Sequence, residues 1–411
     1  MKIGLLSYRS NPFSGGQGIY VQHLSLALSK LGHQVDIISG PPYPNLHKDI
    51  NLIKIPSLDL FELEDNLRLK SFKRSFFFNS IDFSEWLGVL SGSFPEPYTF
   101  GKRVNNYLSK TSTDYDLIHD NQSLCYALID IQKEIPLVTT IHHPITRDHK
   151  LALEAATNWK ERLSTNRWHS FLRMQKKVAP QLNRIICPSN QSKADVIEEF
   201  KVNKNNIDVV LNGIDLDSFN RDEGIEKIPF RIIAPASADV PLKGLKFLIE
   251  AMTEIINEIP EAHLIVLGKA KKEGEILKQI SSLNLEEKIS FHSGLSQAEV
   301  VSLYSSSQIC VIPSLYEGFG FGAGEAMACG LPLVSTQSGG LKEVIGQDAV
   351  IIEPASSKAI VTAVKDLFSD TEKQLSLSKS GRKRMESEFN WMKAAKAYEA
   401  IYSETIKEFH N

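Results

Sequence analysis

The chain has 411 residues, 42% hydrophobic and 23% charged, with a net charge of -3 and a pI near 6.4. That length is more than one core usually serves, so two domains are expected, and the apolar content argues against disorder. The charge balance offers no basic surface for a phosphate backbone, which sets nucleic acid aside as a partner.

The opening MKIGLLSYRS is a short apolar run that soon turns polar, so it reads as a first strand and not as a secretory signal. No later run approaches the ~18 apolar residues a membrane-spanning helix needs, and a cytoplasmic location is expected. Cys125, Cys187, Cys310 and Cys329 lie far apart with no C-x-x-C pair, which points to reduced thiols and not to a metal or disulfide framework.

Short β-rich runs then alternate with helical stretches: KIGLLS, QVDIIS, NLIKI, YDLIH, PLVTTI and RIICPS, followed by FRIIAPAS, AHLIVLG, KISFHS, QICVIPS and LPLVST. Runs of this length, apolar on both faces and separated by helices, predict buried parallel strands in two Rossmann-like, doubly wound α/β domains that leave a cleft between them. The seam is placed at LNGIDLDSF, where Asn212 and Gly213 are turn residues and a polar loop follows. The expected division is 1–210, 211–385, and a C-terminal helix over 386–411 that packs back toward the first domain. That helix carries Trp391, Ala395, Tyr398 and Tyr402 on one face.

An insertion over about 61–107 mixes Lys and Arg with Phe and Trp. Two readings stand: a helical subdomain with aromatics in its core, or a basic-aromatic face for a lipid surface, which would bring the chain to the inner face of the membrane.

Two glycine-rich turns carry the chemistry. Ser14, Gly15 and Gly16 join the first strand to an amphipathic helix, where backbone N–H groups can approach an anion or sugar; the spacing is not G-x-G-x-x-G, which weighs against a nicotinamide cofactor. In SLYEGFGFGAGEAMACG, Glu317 is expected to end a strand. A loop from Gly318 to Gly324 should follow, with Phe319, Gly320 and Phe321 turning N–H groups toward phosphate oxygens. Glu325 is expected in the first turn of the next helix, where the dipole stabilises its charge and leaves it free to accept from a vicinal diol such as ribose.

Glu317 and Glu325 match an E-x7-E motif, and the chain resembles glycosyltransferase family 4, retaining enzymes of the GT-B architecture. SGGQGIYVQHLSLALSKLGHQV, VVLNGIDLDSF, PLKGLKFLIEA and STQSGGLKEVI are similar to successive segments of that family. The resemblance implies that Glu325 binds the donor ribose, Glu317 holds the transferred sugar, and Lys243 neutralises the diphosphate. It further implies that Gly16 approaches the phosphates, His142 faces the sugar or acceptor, and Leu295 offers backbone groups to the base. Ser237 stands where the family often has Arg, so Lys243 must carry more of the diphosphate's charge unless Lys269 compensates.

The function this implies is metal-independent, retaining transfer from a nucleotide-diphosphate sugar, UDP-sugar first, to a hydroxyl acceptor, glycan or lipid, with no cofactor. A nucleotide-sugar 2-epimerase of similar fold is the alternative reaction, and a non-catalytic nucleotide-sugar binding protein a third reading.

Overall fold

The computed structural model describes every residue except 12–15, 61–62, 64, 112–113, 237–239 and 273. Ser14, Gly15 and Ser237 therefore lie outside the described residues.

The chain divides into two compact units, Met1–Leu211 together with Ala394–Asn411, and Asn212–Lys393. Among the described residues the first is built on seven strands: β1 (Lys2–Ser7), β2 (Gln34–Ser39), β3 (Asn51–Lys54), β4 (Leu117–Asn121), β5 (Leu137–Thr140), β6 (Ile185–Cys187) and β7 (Ile207–Val209). They lie in the order β3-β2-β1-β4-β5-β6-β7, with every pairing parallel. The second holds β8 (Arg231–Ala234), β9 (His263–Leu267), β10 (Ile289–His292), β11 (Ile309–Ile312), β12 (Leu333–Ser335) and β13 (Val350–Ile351) in the order β10-β9-β8-β11-β12-β13, again all parallel.

Both sheets thus step outward from their first strand, return, and continue on its other side. The order reverses between β1 and β4 in one unit and between β8 and β11 in the other, and crevices at such points, outside the carboxyl ends of the strands, are where ligands of these folds bind. Central strands such as β4, β5 and β11 are buried along their whole length, as expected when helices cover both faces of a parallel sheet. Separate cores follow, around Leu6, Ile118, Leu128 and Val178 in the first unit and around Ile232, Leu248, Leu264 and Val311 in the second. All four cysteines are buried and unpaired.

The C-terminal helix, Trp391–His410, begins in the second unit and belongs to the first from Ala394 onward. Its Ala395, Tyr398 and Tyr402 are fully buried in the first unit, whereas Trp391, on the same apolar face in the sequence, lies against Gly213 in the second.

The insertion folds as helices over Asp65–Lys70, Ser80–Leu90 and Glu96–Lys110 with a 3-10 turn at Arg74–Phe78. Glu85, buried, anchors it by accepting from the Leu58 amide at 2.8 Å, from the Thr99 hydroxyl at 2.8 Å and from Arg103. Its aromatics divide between buried and exposed. Phe76 is buried and Phe72 packs on Phe76 and Trp86, whereas Phe77 and Phe78 are 69% and 92% exposed. Among the described residues no helix is long and apolar enough to cross a membrane.

Candidate active site

In the second unit, the segments after β8 and β11 meet at the point where strand order reverses. After β8 the chain makes a 3-10 turn at Pro241–Lys243, closed by Gly244 at φ +62. A Cβ at Gly244 would sit 2.1 Å from the Pro313 carbonyl oxygen, so only glycine lets the turn lie this close to the segment after β11. The Leu315 amide donates to the Leu242 carbonyl at 2.7 Å and fastens the two segments together.

That contact delivers Lys243 to Glu317. The ammonium Nζ donates to Glu317 Oε1 at 2.7 Å, and the Ser314 hydroxyl donates to the same oxygen at 2.9 Å. Both side chains keep solvent access, 28% for Lys243 and 15% for Glu317, so the pair can exchange partners with a ligand. Gly339, at φ +66, underpins Glu317: its Cβ would fall 2.1 Å from the Glu317 carbonyl oxygen, which accepts from the Gly340 amide at 2.7 Å.

Two expectations need correction. Glu317 does not end a strand; β11 stops at Ile312 and Glu317 lies in the loop beyond. Glu325 is not in a first helical turn: the helix runs Phe321–Ala328, has no acidic residue in its first turn, and is capped by Gly320 at φ +105. Gly322 and Gly324, which read as loop, lie inside the helix because neighbours occupy the space of their missing side chains. A Cβ at Gly322 would meet Pro235 Cγ at 2.7 Å, and one at Gly324 would meet Ile214 Cδ1 at 2.5 Å. The electrostatics of Glu325 change accordingly. Burial pushes its carboxyl up to about 7, with the Tyr304 hydroxyl acting against the rise and the Asp215 carboxylate adding to it. The first-turn amides of Phe321 and Gly322, which have no intrahelical acceptor, take the dipole end instead.

Among the remaining expected donor-binding residues, Gly318, Phe319 and Gly320 form the link between Glu317 and the helix, and the Phe319 ring is buried against Phe321 and Phe389. Leu295 follows β10 between Gly294, at φ +70, and Ser296, whose capping box with Glu299 starts the helix Gln297–Ser306. Lys269, beyond β9, is exposed.

In the first unit, Gly16 opens the helix Gly16–Lys30 and is exposed. His142 lies two residues beyond β5, against the carboxyl end of β4. Its Nε2 is 2.7 Å from Asn121 Oδ1, and its amide donates to Gln122 Oε1 at 2.7 Å. Burial lowers its imidazole to about 3, with His143 adding to the effect, so the ring is neutral. Behind it Tyr20 stands edge-on with ring centroids 4.7 Å apart. The Tyr20 hydroxyl donates to Tyr398 at 2.8 Å and bonds Thr140 at 2.9 Å, while His119 bridges Thr140 and Tyr402 at 2.8 and 2.6 Å. These supports escaped the sequence reading because their partners lie about 20 to 380 residues away; the polar end of β4, His119-Asp120-Asn121, was the available signal.

The family described as glycosyl transferases group 1 matches residues 220–384, and the one described as glycosyltransferase family 4 matches residues 14–218. The chain is similar to an MMP alpha-(1->4)-mannosyltransferase of Mycolicibacterium hassiacum, 39% identical over 99% of this chain and 98% of that one. It is also similar to a D-inositol 3-phosphate glycosyltransferase of Corynebacterium aurimucosum, 24% identical over 99% and 96%. Among solved structures, sucrose-phosphate synthase from Thermosynechococcus elongatus superposes with a TM-score of 0.75 at 22% identity, covering 99% of this chain and 100% of that one. Anabaena HepE in complex with UDP and glucose does so with a TM-score of 0.72 at 17% identity, covering 98% and 100%. The two curated relatives are named as transferases, and the epimerase alternative draws no support from them. The chain belongs to the group 1 glycosyltransferases, enzymes of the GT-B architecture with two Rossmann-like domains.

Proposed function

We propose that this glycosyltransferase moves a mannosyl group, with retention and without a metal ion, from a nucleoside-diphosphate sugar to a hydroxyl of a glycan or lipid acceptor. The observation that carries the reading is the Lys243–Glu317 pair beside the helix start at Phe321. The leaving diphosphate gains negative charge as the glycosidic bond breaks, and an ammonium with unpaired helix-start amides is what lowers such a barrier. Lys243 would move from Glu317 to the diphosphate, freeing the Glu317 carboxylate to accept from hydroxyls of the transferred sugar. Glu325 would accept from the ribose, Leu295 would meet the base, Gly16 would approach the phosphates, and His142 would contact a sugar hydroxyl. The acceptor oxygen forms its bond to the anomeric carbon on the face the diphosphate leaves, and the departing phosphate oxygen takes the acceptor's proton.

The 39% identity to an enzyme named as an alpha-(1->4)-mannosyltransferase supports mannose and an α product. GDP-mannose therefore joins the UDP-sugars as a donor to test. A thermal-shift screen of UDP-, GDP- and ADP-sugars should raise the Tm for one base only, since a ligand at 100 times its Kd adds roughly 2.7 kcal/mol of stability. No shift with any of the three at saturating concentration would defeat the proposal.

A lipid acceptor is favoured by one observation: Phe77, Phe78, Leu67 and Leu69 are exposed beside Arg68, Lys70, Lys73 and Arg74. Co-sedimentation with anionic but not neutral liposomes is expected on that reading, and absence of binding to both would leave a soluble glycan.

A further inference from the structure

The surroundings of His142 are more fully specified than a strand-end histidine requires. Its amide donates to Gln122 Oε1 at 2.7 Å, its carbonyl accepts from the Ser192 hydroxyl at 2.7 Å, and Nε2 lies 2.7 Å from Asn121 Oδ1. Gln122 completes the clamp by donating from Nε2 to the next carbonyl, of His143, at 2.7 Å. The clamp is held at a conformational cost, since Gln122 and Leu124 take φ of +54 and +47, a region that non-glycine residues enter when their surroundings impose it. What imposes it is Asp120, buried at the end of β4, whose carboxylate accepts from the Ser123 and Leu124 amides and from the Ser123 hydroxyl.

We infer that Asn121 is a positioning residue that holds His142 as its Nε2–H tautomer, leaving Nδ1 as a hydrogen-bond acceptor for a hydroxyl of a bound sugar. The inference rests on the proposed contact between His142 and substrate.

The tautomer follows from the far side of the amide. Asn121 Nδ2 lies 3.3 Å from Ser7 Oγ, and that hydroxyl has its own acceptor in the Arg9 carbonyl at 3.3 Å, with Ser10 Oγ a further 2.6 Å neighbour. Asn121 therefore donates to Ser7 and turns Oδ1 to His142, where an oxygen acceptor demands N–H on Nε2. Reversing the amide would take the Ser7 proton from the Arg9 carbonyl and put an N–H on Nδ1. Among the described residues no group bonds Nδ1, and the Tyr20 ring set edge-on at 4.7 Å between centroids walls one side of the imidazole. A fixed acceptor discriminates between ligands: a sugar hydroxyl satisfies it, while a deoxy or fluoro sugar leaves it unpaired.

The test is a long-range 1H–15N correlation spectrum of the full chain labelled with 15N-histidine, with the His142 signals assigned by their loss in His142→Gln. Wild type should show a protonated Nε2 and a bare Nδ1, and Asn121→Leu should shift His142 toward a mixture of tautomers and lower kcat about tenfold, the effect of one hydrogen bond. A protonated Nδ1 in wild type overturns the inference. So does an unchanged tautomer in Asn121→Leu. Should the tautomer prove correct while His142→Gln keeps kcat/KM within twofold of wild type, the sugar contact is what falls. Once His142→Gln has assigned the signals, the wild-type spectrum decides the tautomer even if Asn121→Leu folds poorly.

Discussion

The two crevices where strand order reverses share a topology and differ in how they are made. At the ends of β8 and β11, glycines bring backbone segments within van der Waals distance, and the residues delivered are an ion pair, Lys243 and Glu317. At the ends of β4 and β5, side-chain amides do the work of the glycines, and the residue delivered is a neutral His142. One crevice suits a group that changes its charge during reaction; the other suits hydroxyls, which ask for fixed donors and acceptors. A shared Rossmann-like plan thus leaves the chemistry to the loops.

Substitutions in each crevice can break this contrast. The largest effect is expected from Lys243→Ala, a roughly 100- to 1000-fold loss of kcat, the usual result of removing one charge-stabilising donor. Its thermal stability should barely change, because the Lys243–Glu317 pair is partly exposed. Gly339→Ala should reverse that pattern: with φ at +66 and a Cβ 2.1 Å from the Glu317 carbonyl oxygen, it should cost roughly 2–3 kcal/mol in urea unfolding. A Gly339→Ala protein as stable as wild type would show that the loop under Glu317 adjusts freely.

Glu325 gives a pH signature. Its folded value, about 7, lies above the ordinary 4.5, so between those values the folded chain keeps a proton that the unfolded chain releases. Stability contributed by this group is present at low pH and lost as pH rises through that window. Glu96, also pushed up to about 7, and Asp120, to about 6, act in the same sense. The difference between wild type and Glu325→Gln isolates the one residue, and the variant should lose less stability between pH 5 and 7, by on the order of 1–2 kcal/mol after allowing for partial exposure. Equal slopes would place Glu325 in a wetter setting than its neighbours imply. The smallest effect is expected from Tyr398→Phe, about 1 kcal/mol for the loss of a buried hydroxyl that bonds Tyr20 and Thr140.

Much of this was legible in the sequence, for physical reasons that also explain what was missed. The eleven strands read from apolar runs are all present; for central ones such as β4, β5 and β11, burial on both faces leaves a continuous apolar signature. The edge strands β7 and β13 leave none: β13 has only two residues, and β7 carries Asp208 at its centre and buries only Ile207. The glycine-rich turn after Glu317 announced itself through the residue type that tight turns demand, whereas Lys243 entered only through the resemblance of PLKGLKFLIEA to a family segment. The start of the helix at Phe321 did not, because glycine normally opposes a helix, and only the nearness of Pro235 and Ile214 shows why it is tolerated here. The clamp on His142 was invisible for another reason. Asn121 and Gln122 bond a residue some 20 positions away in sequence, and no local pattern encodes that pairing.

The central claim, sugar transfer with retention from a nucleotide sugar, is most directly tested by the anomeric configuration of the product. The full chain would be incubated with 13C-labelled GDP-mannose or UDP-sugar, a mannoside acceptor and EDTA, and the new linkage read by its one-bond C1–H1 coupling. An α-linked product, formed with one nucleoside diphosphate released per transfer, is the expected result. A β-linked product, or an epimerised donor formed without acceptor, would contradict it.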